Sequence, residues 1–205
     1  MKKQILFLLT SVIVFAGCNE ASKKVDHAKM GHDETQTKNV MMTAMDDSMM
    51  AMHNAKQTGN ADYDFASMMI PHHQGAIVMA EEVVKNGKSP ALIDFAKDVI
   101  GAQQKEIKML NDFLKTASEK PTKDAAEFKK ALTASMLPMM KAMENIKLTN
   151  DIDRDFVMLM VPHHQSAVDM AKAYLPYSNN ANIQLIAAQI LKSQEEEIKW
   201  LKERL

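Results

Sequence analysis

A four-residue motif occurs twice in this chain and constrains its fold more than any other feature. Pro71-His72-His73-Gln74 returns as Pro162-His163-His164-Gln165, 91 residues later. The same offset, without a gap, pairs further segments: Asp64-Phe65 with Asp155-Phe156, Met79-Ala80 with Met170-Ala171, Gln103 with Gln194, and Glu106-Ile107-Lys108 with Glu197-Ile198-Lys199. The body of the chain is therefore two copies of one unit.

Apolar residues in both copies recur at three- and four-residue steps, and no stretch alternates with the two-residue period of a strand. We predict an all-α helical bundle over residues 40–205, with three helices in each tandem repeat. In repeat 1 (about 40–118) the helices are expected over residues 40–57, 62–86 and 90–116. In repeat 2 (about 123–205) they are expected over residues 123–147, 153–175 and 180–204.

Several residues are typical of helix ends or interruptions. Gly59 and Gly87 are expected in left-handed conformations at helix ends, Asp62 as an N-cap, and Ser89-Pro90 as an N-cap followed by a first-turn proline. Pro71 and its copy Pro162 lie inside predicted helices, where proline removes one backbone hydrogen bond. We expect a kink or a break just before each histidine pair.

The first residues have the layout of a secretory signal. Lys2 and Lys3 precede an apolar run over residues 5–15, and Gly17 then precedes Cys18, the only cysteine. We predict a lipoprotein-type signal peptide over residues 1–17, a lipid on Cys18 and a flexible tether over residues 18–39. The alternative is an ordinary cleaved signal with a buried thiol. Both predict that the protein leaves the cytoplasm, and the lipid would place it in the bacterial cell envelope as a periplasmic or outer-membrane lipoprotein.

The amino-acid composition limits the kinds of partner that the protein could bind. The formal net charge of −1 gives no electrostatic basis for binding nucleic acid. Methionine is in excess, with 19 in the chain. A methionine fills irregular cores, but its thioether sulfur is also a soft ligand for Cu(I), so the excess alone leaves packing and ligation open.

The histidine pairs fall on apolar helix faces. His72 lies on a stripe with Met68 and Met79, and His73 lies one turn after Met69, a spacing at which both side chains reach one centre. Met160 and His164 repeat that spacing beside His163, and Met170 repeats Met79. Antiparallel packing of neighbouring helices places the following residues at the height of the histidines: Met45, Met49 and Gln103 in repeat 1, and Met136, Met140 and Gln194 in repeat 2.

Each unit is thus expected to hold one layer of methionine, histidine and glutamine. Thioether and neutral imidazole are ligands that suit copper, above all Cu(I), with Cu(II) as a second option through imidazole. Gln103 and Gln194 would support the ligating rings as hydrogen-bond partners. The alternative is a buried histidine hydrogen-bonded to glutamine inside a methionine-rich core.

Other methionines and histidines remain open between packing and a surface copper patch. They are Met41, Met42, Met50, Met52, His53, Met139 and Met143 in the helices, and His27, Met30 and His32 in the tether.

The repeated block resembles the bacterial family called domain of unknown function 305. Its hallmark is similar to Asp64-Phe65, then Met68-Met69-Ile70-Pro71-His72-His73-Gln74-Gly75-Ala76-Ile77, then Met79-Ala80. The resemblance covers roughly residues 60–205 and implies a ferritin-like helical bundle, copper binding through methionine and histidine, and a role in copper resistance. The positions that match its ligands are Met69, His72, His73, Met79, Met160, His163, His164 and Met170. Leu159 and Ser166 depart from Met68 and Gly75 of the first copy, which predicts a weaker or differently shaped second site.

We therefore expect a non-enzymatic copper buffer or chaperone, anchored to a membrane by its lipid and delivering copper to an unknown partner protein. The competing hypotheses are a di-iron carboxylate oxidase, a haem protein with histidine and methionine ligands, and a purely structural bundle. A di-iron site would need a Glu three residues before a histidine, which neither pair has. The missing Cys-x-x-Cys-His motif excludes only covalently bound haem.

Overall fold

The structure is a computed structural model and describes residues 39–205. Within these residues it is all helical, without a strand, which confirms the predicted fold class. The helices are α1 (Val40–Asn54), α2 (Ala61–Asn86), α3 (Pro90–Leu114), α4 (Ala125–Met143), α5 (Ile152–Tyr174) and α6 (Ala181–Lys202), with a 3₁₀ turn at Leu175–Tyr177 after α5. The predicted signal peptide, Cys18 and the tether residues His27, Met30 and His32 lie outside the described residues.

Most of these helices begin after a polar residue whose side chain caps the helix N-terminus. The cap residues accept hydrogen bonds from backbone N–H groups of the first turn, which would otherwise lack partners; they are Asn39, Asn60, Ser89, Asp151 and Asn180. The predicted Ser89-Pro90 start of α3 is confirmed. The cap of α2 is Asn60, so the prediction of Asp62 was wrong.

The turns before α2 and α5 repeat each other in detail. Asp64 accepts hydrogen bonds from the backbone N–H groups of Thr58 (2.7 Å) and Gly59 (2.9 Å). Asp155 does the same for the equivalent Thr149 and Asn150, at 2.7 and 3.0 Å. Gly59 has a φ of 80° and Asn150 a φ of 66°, so the predicted left-handed turn at Gly59 is confirmed.

Gly87 is needed for close packing and not for a left-handed helix end. Its φ is −68°, so the predicted left-handed conformation was wrong. A Cβ atom there would lie 2.5 Å from the Val83 carbonyl oxygen and 2.8 Å from Oδ1 of Asp153. Glycine is needed because the α2–α3 turn approaches a carboxylate of the other repeat, a contact that the sequence pattern does not contain.

α2 and α5 continue as α-helices through Pro71 and Pro162, so the expected break was wrong. An internal proline costs about 3 kcal/mol or more in helix stability. Burial of the residues on either side offsets that cost: Met69 and His72, like Met160 and His163, are fully buried. Tertiary packing, rather than local preference, keeps these two helices whole.

α2 and α5 pack against each other at the centre, α1 and α3 flank α2, and α4 and α6 flank α5. The repeats exchange equivalent contacts. Asp62 at the start of α2 accepts hydrogen bonds from Tyr174 Oη (2.6 Å) and from Asn179 and Asn180 N–H (3.0 and 3.3 Å). Asp153 accepts from Lys88 and Ser89 N–H of the equivalent turn, at 3.1 and 2.8 Å. The two copies are thus joined reciprocally, as in a dimer with a two-fold axis.

The core has two halves, which we call the first and second half-core, and the histidines lie between them along α2 and α5. The first half-core contains Met45, Met79, Ala80, Phe156 and Met160, and the second contains Phe65, Met69, Leu110, Met170 and Tyr174. Because α2 and α5 run antiparallel, each half-core draws on both repeats. None of the helices in residues 39–205 is both long and apolar enough to cross a membrane.

Candidate metal centre

Four buried imidazoles form one layer where α2 meets α5. His72, His73, His163 and His164 are each 0% exposed. The rings of His72 and His163 lie 3.8 Å apart between centroids, and each is about 6 Å from its neighbour on the same helix, at 6.1 and 6.2 Å. The sequence predicts one layer in each repeat, because the heights of residues can be matched only between helices joined by short turns. The contact between α2 and α5, which such turns do not define, merges the two histidine pairs into one layer.

Burial keeps the rings of His72 and His163 neutral. Loss of solvation lowers the pKa of His72 well below its usual value, and the neighbouring histidines lower it further. The pKa of His163 is lowered for the same two reasons, in the same order. A neutral imidazole has a free lone pair and can bind a metal ion, so both rings are in the protonation state that ligation needs.

One hydrogen bond fixes the tautomer of His163. Its Nε2 lies 3.1 Å from the carbonyl oxygen of His72, and a carbonyl only accepts, so Nε2 carries the proton and donates. The lone pair of His163 is therefore on Nδ1. His72 makes no equivalent bond, which breaks the symmetry of the layer at its centre.

Most ring nitrogens of the layer have no hydrogen-bond partner within the described protein. This holds for both nitrogens of His72 and for Nδ1 of His73, His163 and His164. A buried polar atom without a partner costs about 1–3 kcal/mol in folding free energy. The Oε1 atoms of Gln103 and Gln194 are also buried without a partner, so these carboxamides accept no hydrogen bond from the rings. Their supporting role stays a prediction.

Two glutamates that the sequence analysis did not select contact the layer. Nε2 of His73 lies 2.7 Å from Oε2 of Glu106, and Nε2 of His164 lies 2.8 Å from Oε2 of Glu197. Neither contact has the alignment of a hydrogen bond. A signal for them was present, because Glu106 and Glu197 are equivalent in the duplication and each follows the buried glutamine by three residues.

The predicted methionine ligands lie on both sides of the imidazole layer. Met45, Met79 and Met160 are fully buried in the first half-core, and Met69 and Met170 in the second. Met49 is half-buried against both half-cores, Met136 against the second, and Met140 is half-buried. The fully buried methionines on each side therefore include members of both repeats.

The remaining methionines are mostly packing residues. Met41, Met42, Met52, Met139 and Met143 are buried, so the open question between core and surface patch is settled for them in favour of core. Met50 is 63% exposed and His53 is exposed one turn later on α1.

The donor chemistry of the layer is mixed. Within residues 39–205, no three side chains drawn from His, Cys, Asp and Glu converge on one point. A site with three or more side-chain ligands in this layer would therefore have to include another donor, such as methionine sulfur or a glutamine carboxamide oxygen. The combination of methionine sulfur and imidazole suits a soft ion such as Cu(I) and is a poor match for Mg²⁺ or Ca²⁺, which take oxygen ligands.

The fold and the site define the class of this protein, which is an all-helical, internally duplicated bundle with a buried layer of histidines. The amino-acid sequence identifies its family. The profile named Domain of unknown function (DUF305) matches residues 15–114 and 62–205, so the chain belongs to that family. The two overlapping matches agree with the duplication.

Solved structures of CopM resemble this chain. CopM in the Cu(I)-bound form is 29% identical, with a TM-score of 0.54, over 69% of this chain and 93% of that chain. The Cu(II)-bound form is 28% identical and the silver-bound form obtained by soaking 29% identical, with the same TM-score of 0.54 and covering 93% and 92% of those chains.

A curated relative, Uncharacterized protein L153 of Acanthamoeba polyphaga mimivirus, is 40% identical over 53 residues. The match spans 26% of this chain and 35% of that protein, about a third of its length.

Proposed function

We propose that this protein binds copper, foremost Cu(I), in the histidine layer and acts in the cell envelope as a copper buffer or chaperone. The single observation that carries the proposal is the set of fully buried imidazole nitrogens without hydrogen-bond partners, placed between two methionine-containing half-cores. A metal ion that accepts these lone pairs removes the cost of burying them unpaired.

The proposed ligands are the four histidines and the buried methionines on either side. The fully buried set is Met45, Met69, His72, His73, Met79, Met160, His163, His164 and Met170, and the half-buried Met49, Met136 and Met140 extend it towards α1 and α4. The similarity to CopM supports this assignment, because CopM has been crystallised with Cu(I), Cu(II) and silver.

A buffering role follows from where the ligands lie. A fully buried layer keeps a bound ion away from water and oxidants, and soft neutral donors favour Cu(I) over Cu(II). We propose no catalytic step. The lipid on Cys18, the tether and delivery of copper to a partner protein remain part of the proposal.

Anaerobic titration with Cu(I), in competition with a chromophoric chelator, tests the proposal on a form that starts after Cys18. Met69→Leu/Met170→Leu and Met79→Leu/Met160→Leu remove sulfur while nearly conserving volume, which costs less than about 1.5 kcal/mol for a Met-to-Leu exchange. We expect lower affinity or fewer bound ions in both. His72→Ala/His73→Ala and His163→Ala/His164→Ala extend the test to the imidazoles.

Met41→Leu/Met143→Leu is the matched control, because both residues are buried in the first half-core but outside the proposed ligand set. It should bind copper as the unaltered protein does. Unchanged copper stoichiometry in all histidine and methionine variants would refute the site. An absorption spectrum of the purified protein tests the haem hypothesis, since a haem would show an intense Soret band.

A further inference from the structure

Glu106 on α3 contacts the ring of His73, and Glu197 on α6 contacts the ring of His164; we call these two rings the outer rings of the layer. The N–O distances of 2.7 and 2.8 Å lie in the range of charge-assisted hydrogen bonds. The rings are 0% exposed, whereas the glutamate side chains are 16% and 25% exposed. A rotation of the partly exposed carboxylate can align the contact without moving the buried ring.

The contact selects one tautomer of each ring. A carboxylate only accepts hydrogen bonds, so a neutral histidine beside it is most stable with its proton on the facing nitrogen, here Nε2. The other nitrogen, Nδ1, then carries the lone pair, and in both rings Nδ1 has no hydrogen-bond partner in the described protein, whereas Nε2 faces the carboxylate. The carboxylate, the imidazole and a metal ion would form the chain of contacts that is common around histidine ligands.

Charge balance supports the same arrangement. Thioethers and neutral imidazoles bring no charge, so a buried monovalent ion would leave one positive charge uncompensated, which is costly in an apolar core. Each histidine–glutamate contact supplies one negative charge at the edge of the layer. The two carboxylates, one beside each outer histidine, would together compensate two monovalent ions held in the layer.

We infer that Glu106 and Glu197 are positioning residues that hold the proton of His73 and His164 on Nε2, so that each ring presents Nδ1 to a soft monovalent ion. This inference rests on the proposed copper-binding function. Its structural part, the tautomer, exists without metal and can be measured separately.

Two-bond ¹H–¹⁵N correlation spectra of the metal-free full-length protein, labelled with ¹⁵N-histidine, test the tautomer. We expect His73 and His164 to show the Nε2–H pattern in the unaltered protein. In Glu106→Gln and Glu197→Gln the amide can donate as well as accept, so the Nε2–H preference of the facing ring should weaken. Glu196→Gln is the control, because Glu196 is exposed on α6 next to Glu197.

Silver(I) titration of the same proteins tests the link to binding. Loss of an outer partner of a ligating histidine typically lowers metal affinity about 10–100-fold, and we expect that loss in Glu106→Gln and Glu197→Gln but not in Glu196→Gln. An Nδ1–H tautomer in the unaltered protein, or spectra and affinities unmoved by both substitutions, would overturn the inference. If no protein bound silver or copper while the Nε2–H pattern held, the proposed function would fail and the positioning role would stand.

Discussion

The ring of His72 lies 3.8 Å from the ring of His163, between centroids, although the two residues are 91 positions apart. This contact joins the repeats at their centre and holds two uncharged imidazoles together in the core. Each ring belongs to a different copy of the same motif, so a single copy of the repeat could not form this contact between two imidazoles.

Neutral burial of these rings predicts acid sensitivity of the metal-free protein. The pKa of each ring is lowered in the folded state, mainly by burial, so below pH 6.5 the unfolded chain takes up protons that the folded chain does not. Their contribution to stability is therefore fully present above pH 6.5 and is lost as the pH falls. The free energy of unfolding should fall by up to about 1.4 kcal/mol per pH unit for each ring.

Denaturant unfolding between pH 7.5 and 5 in the presence of a chelator measures this slope. The double variant His72→Gln/His163→Gln removes both titrating groups and should show a clearly smaller slope over the same range. Equal slopes in the two proteins would contradict the assignment.

The reciprocal contacts between the repeats predict unequal effects at equivalent positions. Asp62 is buried and accepts from Tyr174 and two backbone N–H groups, whereas Asp153 is half-buried and accepts from backbone N–H groups alone. Asp62→Ala leaves a buried phenol unpaired and should lower the free energy of unfolding by about 3 kcal/mol, at about 1–3 kcal/mol for each unpaired buried group. Asp153→Ala should cost less. Thermal and denaturant unfolding compare the two, and a larger loss in Asp153→Ala would contradict the prediction.

Two glycines inside helices should respond oppositely to alanine. A Cβ on Gly75 would lie 2.7 Å from the Cβ of Ser48 and 3.2 Å from the Ala44 carbonyl oxygen, because α1 and α2 approach closely there. Gly75→Ala should therefore destabilise the fold by about 1–3 kcal/mol through overpacking. Gly101 on α3 has nothing within 4 Å of such an atom, so Gly101→Ala should stabilise it by about 0.5–1 kcal/mol. Unfolding curves of the two variants in one buffer check both signs.

The sequence predicts the helices well because the residues that determine a helix lie close to one another in the chain. The polar start at Ser89 and the apolar periodicity of the helices depend on residues within one or two turns of each other. The predicted break at Pro71 and the predicted left-handed conformation at Gly87 were wrong because the conformation at both positions depends on tertiary packing. The merging of the histidine pairs and the contacts of Glu106 and Glu197 were missed for a related reason, since they depend on how the six helices cross.

The composition of the half-cores predicts how methionine substitutions combine. Met79 and Met160 lie in the first half-core and Met69 and Met170 in the second, so each side of the imidazole layer draws sulfur from both repeats. Met79→Leu/Met160→Leu should remove two of the three fully buried methionine ligands of the first half-core and abolish one binding step, while the other side keeps its affinity. Met69→Leu/Met79→Leu, which removes one methionine ligand from each half-core, both of them in repeat 1, should weaken both steps and abolish neither.

Silver(I) calorimetry on these two double variants and on the control Met41→Leu/Met143→Leu separates the alternatives, because all six exchanges nearly conserve side-chain volume. If each repeat held its own ion, the pattern would be reversed, with one step lost in Met69→Leu/Met79→Leu. Loss of one step in Met79→Leu/Met160→Leu alone is the result expected when the two copies share their sites across the α2–α5 contact.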